Sequence, residues 1–220
     1  MSSEDIDPSA LSAMIMAYQP RVAMLKELAV RLDEGTRQAL RLIARIDRIG
    51  FRAKDSASFA NKALKKNKDG SPRYVRPLED VEDQAAGRVL VFFRRDIAPV
   101  EAMLLKTFNR VEQVHKAPED SSSFAYESVH FVFIIPPNAY PRGWERLANP
   151  PTTFEMQIRT LFMHAWAEPQ HDIMYKAKRE LSKDNERRIA WAASNAWGGD
   201  AIFEQVLDAI AGEEPANNRE

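Results

Sequence analysis

Residues 154–159 read Phe154-Glu155-Met156-Gln157-Ile158-Arg159, an unbroken alternation of apolar and polar side chains. Successive side chains of a strand point to opposite faces, so Glu155, Gln157 and Arg159 share one face and Phe154, Met156 and Ile158 the other. The apolar row needs a partner layer. The polar row sets an acid, an amide and a base side by side, which can hold a metal, a sugar hydroxyl and a phosphate. It is equally what the solvated face of an antiparallel sheet looks like.

Working outward, the predicted strand 127–135 repeats the pattern. Ser128 and His130, with Tyr126 just before, lie on one face; Val129, Phe131 and Phe133 lie on the other. A lone His or Tyr is usually a packing residue. Two rows of chemically varied polar residues are less easily dismissed, because solvated faces are mostly Lys, Glu and Thr. Residues 87–93 are a nearly continuous apolar run, as in a central strand. Residues 51–54, 110–115 and 153–159 complete about five strands.

Helices are expected at both ends. Asp7-Pro8 is a helix start, and apolar spacing carries the helix, interrupted near Pro20, to about residue 49, with Gly50 as its stop. Asp55 or Ser56 caps a helix to about residue 66, and 97–108 forms another. Helices also cover 160–181, where Pro169 should introduce a kink, and 184–211. A basic loop holds Lys65, Lys66, Lys68, Arg73 and Arg76, and five prolines make 136–151 irregular. The expected fold class is α+β: one mixed sheet of about five strands flanked by helices. The expected divisions are a helical extension over 1–50, a sheet domain over 51–180, and a C-terminal helix with a frayed tail over 181–220. Trp166, Trp191 and Trp197 read as core or interface residues.

Bulk composition narrows the chemistry. With 45% hydrophobic and 29% charged residues the 220-residue chain reads as globular. No apolar run approaches the roughly 18 residues of a membrane span, and residues 1–7 do not resemble a signal peptide, so a cytoplasmic protein away from membranes is expected. The absence of cysteine excludes disulfides and thiolate metal sites. A net charge of -1 offers nucleic acid no general attraction; any such attraction must be local.

Arg52 and Lys54 are two apart on the first short strand, and Ser58 and Lys62 four apart on the next helix. Together they can surround a polyanion, although such a cluster alone is more often scattered surface charge. Asp83 precedes the apolar strand that carries Arg88. With Glu155 it makes a carboxylate pair suited to Mg²⁺, which takes few carboxylates plus waters and substrate phosphates. P-loop, Rossmann and zinc motifs are absent.

These residues resemble the synthetase domain of the RelA/SpoT family, which includes the small alarmone synthetases. Arg52, Lys54, Ser58 and Lys62 match its R-x-K-x-x-x-S-x-x-x-K. Asp83, Ala85 and Arg88 match D-x-A-G-x-R, with Ala86 in place of Gly. Tyr126, Ser128 and His130 match G-Y-x-S-x-H, with Ala125 in place of Gly. Glu155, Gln157, Arg159 and Thr160 match E-x-Q-x-R-T. The run from His164 to Glu168, then His171, Tyr175 and Lys176, also looks like the family. The resemblance covers about residues 52–176.

The resemblance implies an ATP-dependent pyrophosphokinase. Arg52 and Arg88 would sandwich the adenine, and Lys54, Ser58 and Lys62 would hold the phosphates. Asp83 and Glu155 would bind Mg²⁺, with Glu155 also acting on the acceptor hydroxyl. Tyr126 would stack on the acceptor base, and Ser128, His130, Gln157 and Arg159 would shape the acceptor side. The implied acceptor is GDP or GTP, giving (p)ppGpp and AMP. The departures touch that side: Ser122 and Glu127 stand where Lys and Arg are common, and Gln170 replaces a usual Glu. A toxic branch of the family modifies the tRNA 3′ end or adenosine nucleotides, and a member of that branch would be expected to have a neutralising antitoxin protein. An inactive binding module is a third possibility. The amphipathic terminal helices can pack on the sheet or form a homo-oligomer.

Overall fold

The structure, a computed structural model, describes residues 6–116, 124, 128–176 and 181–213; for 174–176 and 213 it describes the backbone alone. The chain opens with α1 (Pro8–Tyr18), capped by Asp7, whose carboxylate accepts the Ser9 N–H at 3.0 Å. After a short 3₁₀ turn, α2 (Val22–Leu40) buries Leu25, Leu28, Ala29, Leu32 and Leu40, the expected helical stripe.

The helix then stops, nine residues before the expected stop at residue 49. Ile46 and Ile49 belong instead to β1 (Ile46–Ala53). Their spacing of three imitates a helix, but Arg45 sits at φ 60°, breaking helical geometry, and the segment pairs with a neighbouring strand. The ladder supplies the backbone bonds that a helix would otherwise have made.

There follow α3 (Ser56–Ala63), the single turn α4 (Pro77–Asp80), β2 (Ala85–Val91), α5 (Ile97–Thr107), β3 (Arg110–Lys116), β4 (Ser128–Ile134), β5 (Thr153–Thr160), α6 (Leu161–Lys176) and α7 (Lys183–Glu213). Among the described residues the strands form one sheet in the order β1-β2-β5-β4-β3. Only β2 and β5 pair in parallel, so the sheet is mixed. Helices α2 and α5 cover its apolar face, where Val89, Phe131, Phe133, Phe154, Met156 and Ile158 are buried. Pro169 lies inside α6, which continues through it to Lys176. The indole N–H of Trp166 donates to the Ile189 carbonyl at 3.1 Å, tying α6 to α7; Trp191 is 70% exposed and so lies outside the core.

Two features set the position of the polar face. Arg21, buried at the head of α2, donates to the carbonyls of Leu78, Ala148 and Asn149 and to the Gln84 side chain. It thereby pins both ends of the turn that carries Asp83. Gly87 lets β1 and β2 close on the core: a Cβ there would come within 2.5 Å of the Phe51 ring and 2.9 Å of the Met156 methyl. Gly87→Ala is expected to cost about 1–3 kcal/mol by overpacking. The measurement is a urea transition, whose midpoint should fall without a change in slope.

Candidate active site

The polar face is organised by strand register. Arg88 on β2, Gln157 on β5 and His130 on β4 stand in one row; Arg52 on β1, Ala86 on β2 and Glu155 on β5 stand in the next. Alternation thus turns residues distant in sequence into neighbours.

Asp83 lies in the 3₁₀ turn just before β2. Lys54, at the end of β1, reaches its Oδ2 at 2.8 Å, and Lys62, from α3, reaches the same oxygen at 3.0 Å. Burial alone would lower the Lys62 pKa, but the charge and hydrogen bond of Asp83, with Tyr74 and Glu155 beyond, raise it; the ammonium stays charged. The other oxygen, Oδ1, is buried and has no hydrogen-bond partner. An unsatisfied carboxylate oxygen is costly, and a cation, like a hydrogen-bond donor, satisfies it.

Glu155 is held differently. The His130 ring nitrogen Nδ1 lies 2.7 Å from Oε1, and the Gln157 amide donates to the same oxygen at 2.8 Å. A carboxylate only accepts, so His130 Nδ1 carries the proton. Burial pushes the Glu155 carboxyl up, but the bonds from His130 and Gln157 and the charges of His130 and Lys62 outweigh it and bring it down to about 2. Arg159, only 4% exposed, donates to the Gln157 side-chain oxygen Oε1 and reaches Glu168 of α6 at 3.4 Å. Glu168 also pairs with Arg88 at 2.8 Å. Beside them the His164 pKa is lowered by burial and by the charge of Arg88.

Two cavities meet at the two carboxylates. The first, about 270 Å³, is lined by Arg48, Arg52, Asp83, Arg88, Glu155, Gln157, His164 and Glu168 among others. The second, about 280 Å³, is lined by Lys62, Arg73, Tyr74, Glu82, Asp83, Glu112, Lys116, His130 and Glu155 among others. Asp83 and Glu155 line both. Among the described residues no cluster of three His, Cys, Asp or Glu forms a metal cage. Two carboxylates, one with an orphan buried oxygen and one held ionised, nevertheless fit Mg²⁺, which keeps waters and substrate phosphates as its remaining ligands.

The structure therefore brings Arg52, Lys62, Asp83, Arg88, His130, Glu155 and Gln157 to the walls of the two cavities, and Lys54, which lines neither, joins them through its ion pair with Asp83. Three expected residues stand apart. Ser58 lines neither cavity; its backbone N–H donates to Asp55 at 2.8 Å, in the cap of α3. Ser128 is buried at the edge of a different cavity, beside Thr160 and Asp200, where a strand end rather than the sheet centre sets its surroundings. Arg159 lies behind Gln157 as a support, because α6 closes over it. Tyr126 lies outside the described residues. Arg48, Arg73, Tyr74, Glu82, Glu112, His164 and Glu168 were not singled out for the site. His164 and Glu168 have a weak signal, being four apart on a helix that directly follows β5. Arg73 is legible only as one charge of the basic loop, and Tyr74, in the same loop without periodicity, leaves none.

Residues 51–180 match a family model described as the region found in RelA / SpoT proteins. The GTP pyrophosphokinase YjbM of Bacillus subtilis (strain 168) is 28% identical over 170 residues, covering 76% of this chain and 73% of that protein. The crystal structure of small alarmone synthetase 1 from Bacillus subtilis aligns with a TM-score of 0.65 at 26% identity, over 91% of this chain and 97% of that one. A structure of that synthetase bound to its product pppGpp aligns with a TM-score of 0.63 at 25% identity, over 90% and 97%.

Proposed function

Because this chain belongs to the RelA/SpoT family, we propose that it is a Mg²⁺-dependent pyrophosphokinase that moves the β,γ-pyrophosphate of ATP onto the 3′-hydroxyl of GDP or GTP, releasing AMP and (p)ppGpp. The observation that carries this reading is the pair of cavities sharing Asp83 and Glu155. A two-substrate group transfer needs such a junction, with positive charge beside it. Lys54 and Lys62 supply that charge.

The first cavity takes the donor. Arg52 and Arg88 offer two guanidinium planes for the adenine, and the phosphates would run to the Asp83 junction, where Lys54 and Lys62 sit on its carboxylate. The second cavity takes the acceptor ribose, with His130 at its wall and Tyr126 retaining its expected role as a base platform. The 3′-oxygen bonds to the β-phosphorus as the bond from that phosphorus to the oxygen bridging it to the α-phosphorus breaks. AMP leaves with that oxygen, and the hydroxyl proton passes by way of Glu155 to solvent. A carboxylate with a pKa of about 2 is a weak base. A loose phosphoryl-type transition state asks little of one, so Glu155 acts chiefly by orienting the hydroxyl. When bound between Asp83 and Glu155, Mg²⁺ would neutralise charge on the transferring group.

One observation favours a second acceptor class. Glu82 and Glu112 line the acceptor cavity, and burial together with the charge of Glu112 pushes the Glu82 carboxyl up. These carboxylates offset the charge of Lys62, Arg73 and Lys116 in the same cavity, so an acceptor presenting ribose and base alone is accommodated as well. The 3′-terminal adenosine of tRNA is such an acceptor. Incubation with ATP labelled at the β- or γ-phosphate, plus GDP, GTP, adenosine nucleotides or tRNA, decides between them. Label on GDP or GTP supports the main reading, and label on RNA or an adenosine nucleotide supports the second. No AMP with any acceptor, from folded protein with Mg²⁺, overturns both.

A further inference from the structure

Arg88 is held at one end only. Its Nε is buried without a hydrogen-bond partner among the described residues, while Nη1 forms an ion pair with Glu168 Oε1 at 2.8 Å and meets His164 Nδ1 at 3.5 Å. The His164 contact is at the limit of a hydrogen bond, so Glu168 carries most of the orientation. Glu168 is 52% exposed and belongs to α6, outside the sheet that presents Arg88. The same Oε1 lies 3.4 Å from Arg159, which holds Gln157, which in turn holds Glu155. One carboxylate thus joins the guanidinium over the donor cavity to the row that orients Glu155.

We infer that Glu168 is a positioning residue for the donor: its ion pair holds the Arg88 guanidinium in place for stacking on the purine, and through Arg159 keeps that group in register with Glu155. The inference rests on reading the Arg52–Arg88 cavity as the donor site. An ion pair made through one terminal nitrogen leaves the rest of the guanidinium to meet a base, so the ion pair and the stack coexist. Without Glu168 the side chain regains its rotamers, and stacking must order it again on each binding event.

Calorimetric titration of Mg·ATP, without any acceptor, tests this independently of turnover. Glu168→Ala is expected to weaken ATP binding about 10-fold, within the range of a single lost base stack. Glu168→Asp, whose shorter arm falls away from Arg88, should lose as much. Glu168→Gln, which keeps the length of the side chain but not its charge, should recover only part of the affinity. In an Arg88→Ala background the Glu168→Ala change should have little further effect. Ribose 5-triphosphate, a donor lacking a base, should bind wild type and Glu168→Ala equally. ATP affinity unchanged in Glu168→Ala and Glu168→Asp, additive losses in the double variant, or equal weakening of the base-free donor would overturn the inference. Wild-type protein that binds no ATP would overturn the donor reading beneath it.

Discussion

Asp83→Asn is expected to reduce AMP release by about 10³-fold or more while leaving the protein folded. The substitution keeps the shape but removes the charge. Lys54 and Lys62, both directed at one oxygen of Asp83, then face each other without a counter-ion. The buried Oδ1, the oxygen suited to a metal, becomes part of a neutral amide. Breaking a buried ion pair from one side costs about 3–5 kcal/mol. Lys62 is nearly one-third exposed, so solvent reduces this to about 1–3 kcal/mol. Single-turnover assays and urea denaturation read the two effects separately. Activity within tenfold of wild type would remove Asp83 from the mechanism.

Glu155→Gln should lower kcat by about 10²- to 10⁴-fold and also change the response to acid. In the folded protein the Glu155 carboxyl falls from its ordinary 4.5 to about 2. A lowered carboxyl pKa stabilises the fold above the unfolded value, near 4.5, and that stability disappears as pH falls from there towards 2. The shift corresponds to about 2–3 kcal/mol, allowing for the residual exposure of the side chain. Wild type should therefore lose this increment between pH 5 and pH 2, and Glu155→Gln should lack that component of the decline. Unfolding free energies at pH 7, 4 and 3 measure it. Parallel profiles for the two proteins would mean that Glu155 is not held ionised by His130 and Gln157.

Periodicity made most of the architecture legible. The alternation over 154–159 foretold the burial of Phe154, Met156 and Ile158 but not that of Arg159, and the apolar run near residue 87 foretold β2. Periodicity misled at residues 40–49, where isoleucines three apart serve a strand. Local spacing carries no information about the ladder partner, and pairing with β2 overrode it. No side-chain rule anticipates that Gly87 must lack a Cβ; that follows from where Phe51 and Met156 come to rest.

The sequence by itself determined that Glu155 and Gln157 share a face, that His130 belongs to a similar row, and that basic residues cluster around positions 52–62. These facts depend on strand and helix periods, which act over a few residues. Which charges meet was decided only by the tertiary structure. Lys54 and Asp83 are brought together by the β1–β2 pairing, and Glu168 reaches Arg88 because α6 folds back over the sheet. The physical reason is range: backbone geometry sets the direction of each side chain locally, whereas an ion pair forms only where separate elements pack within about 4 Å of each other.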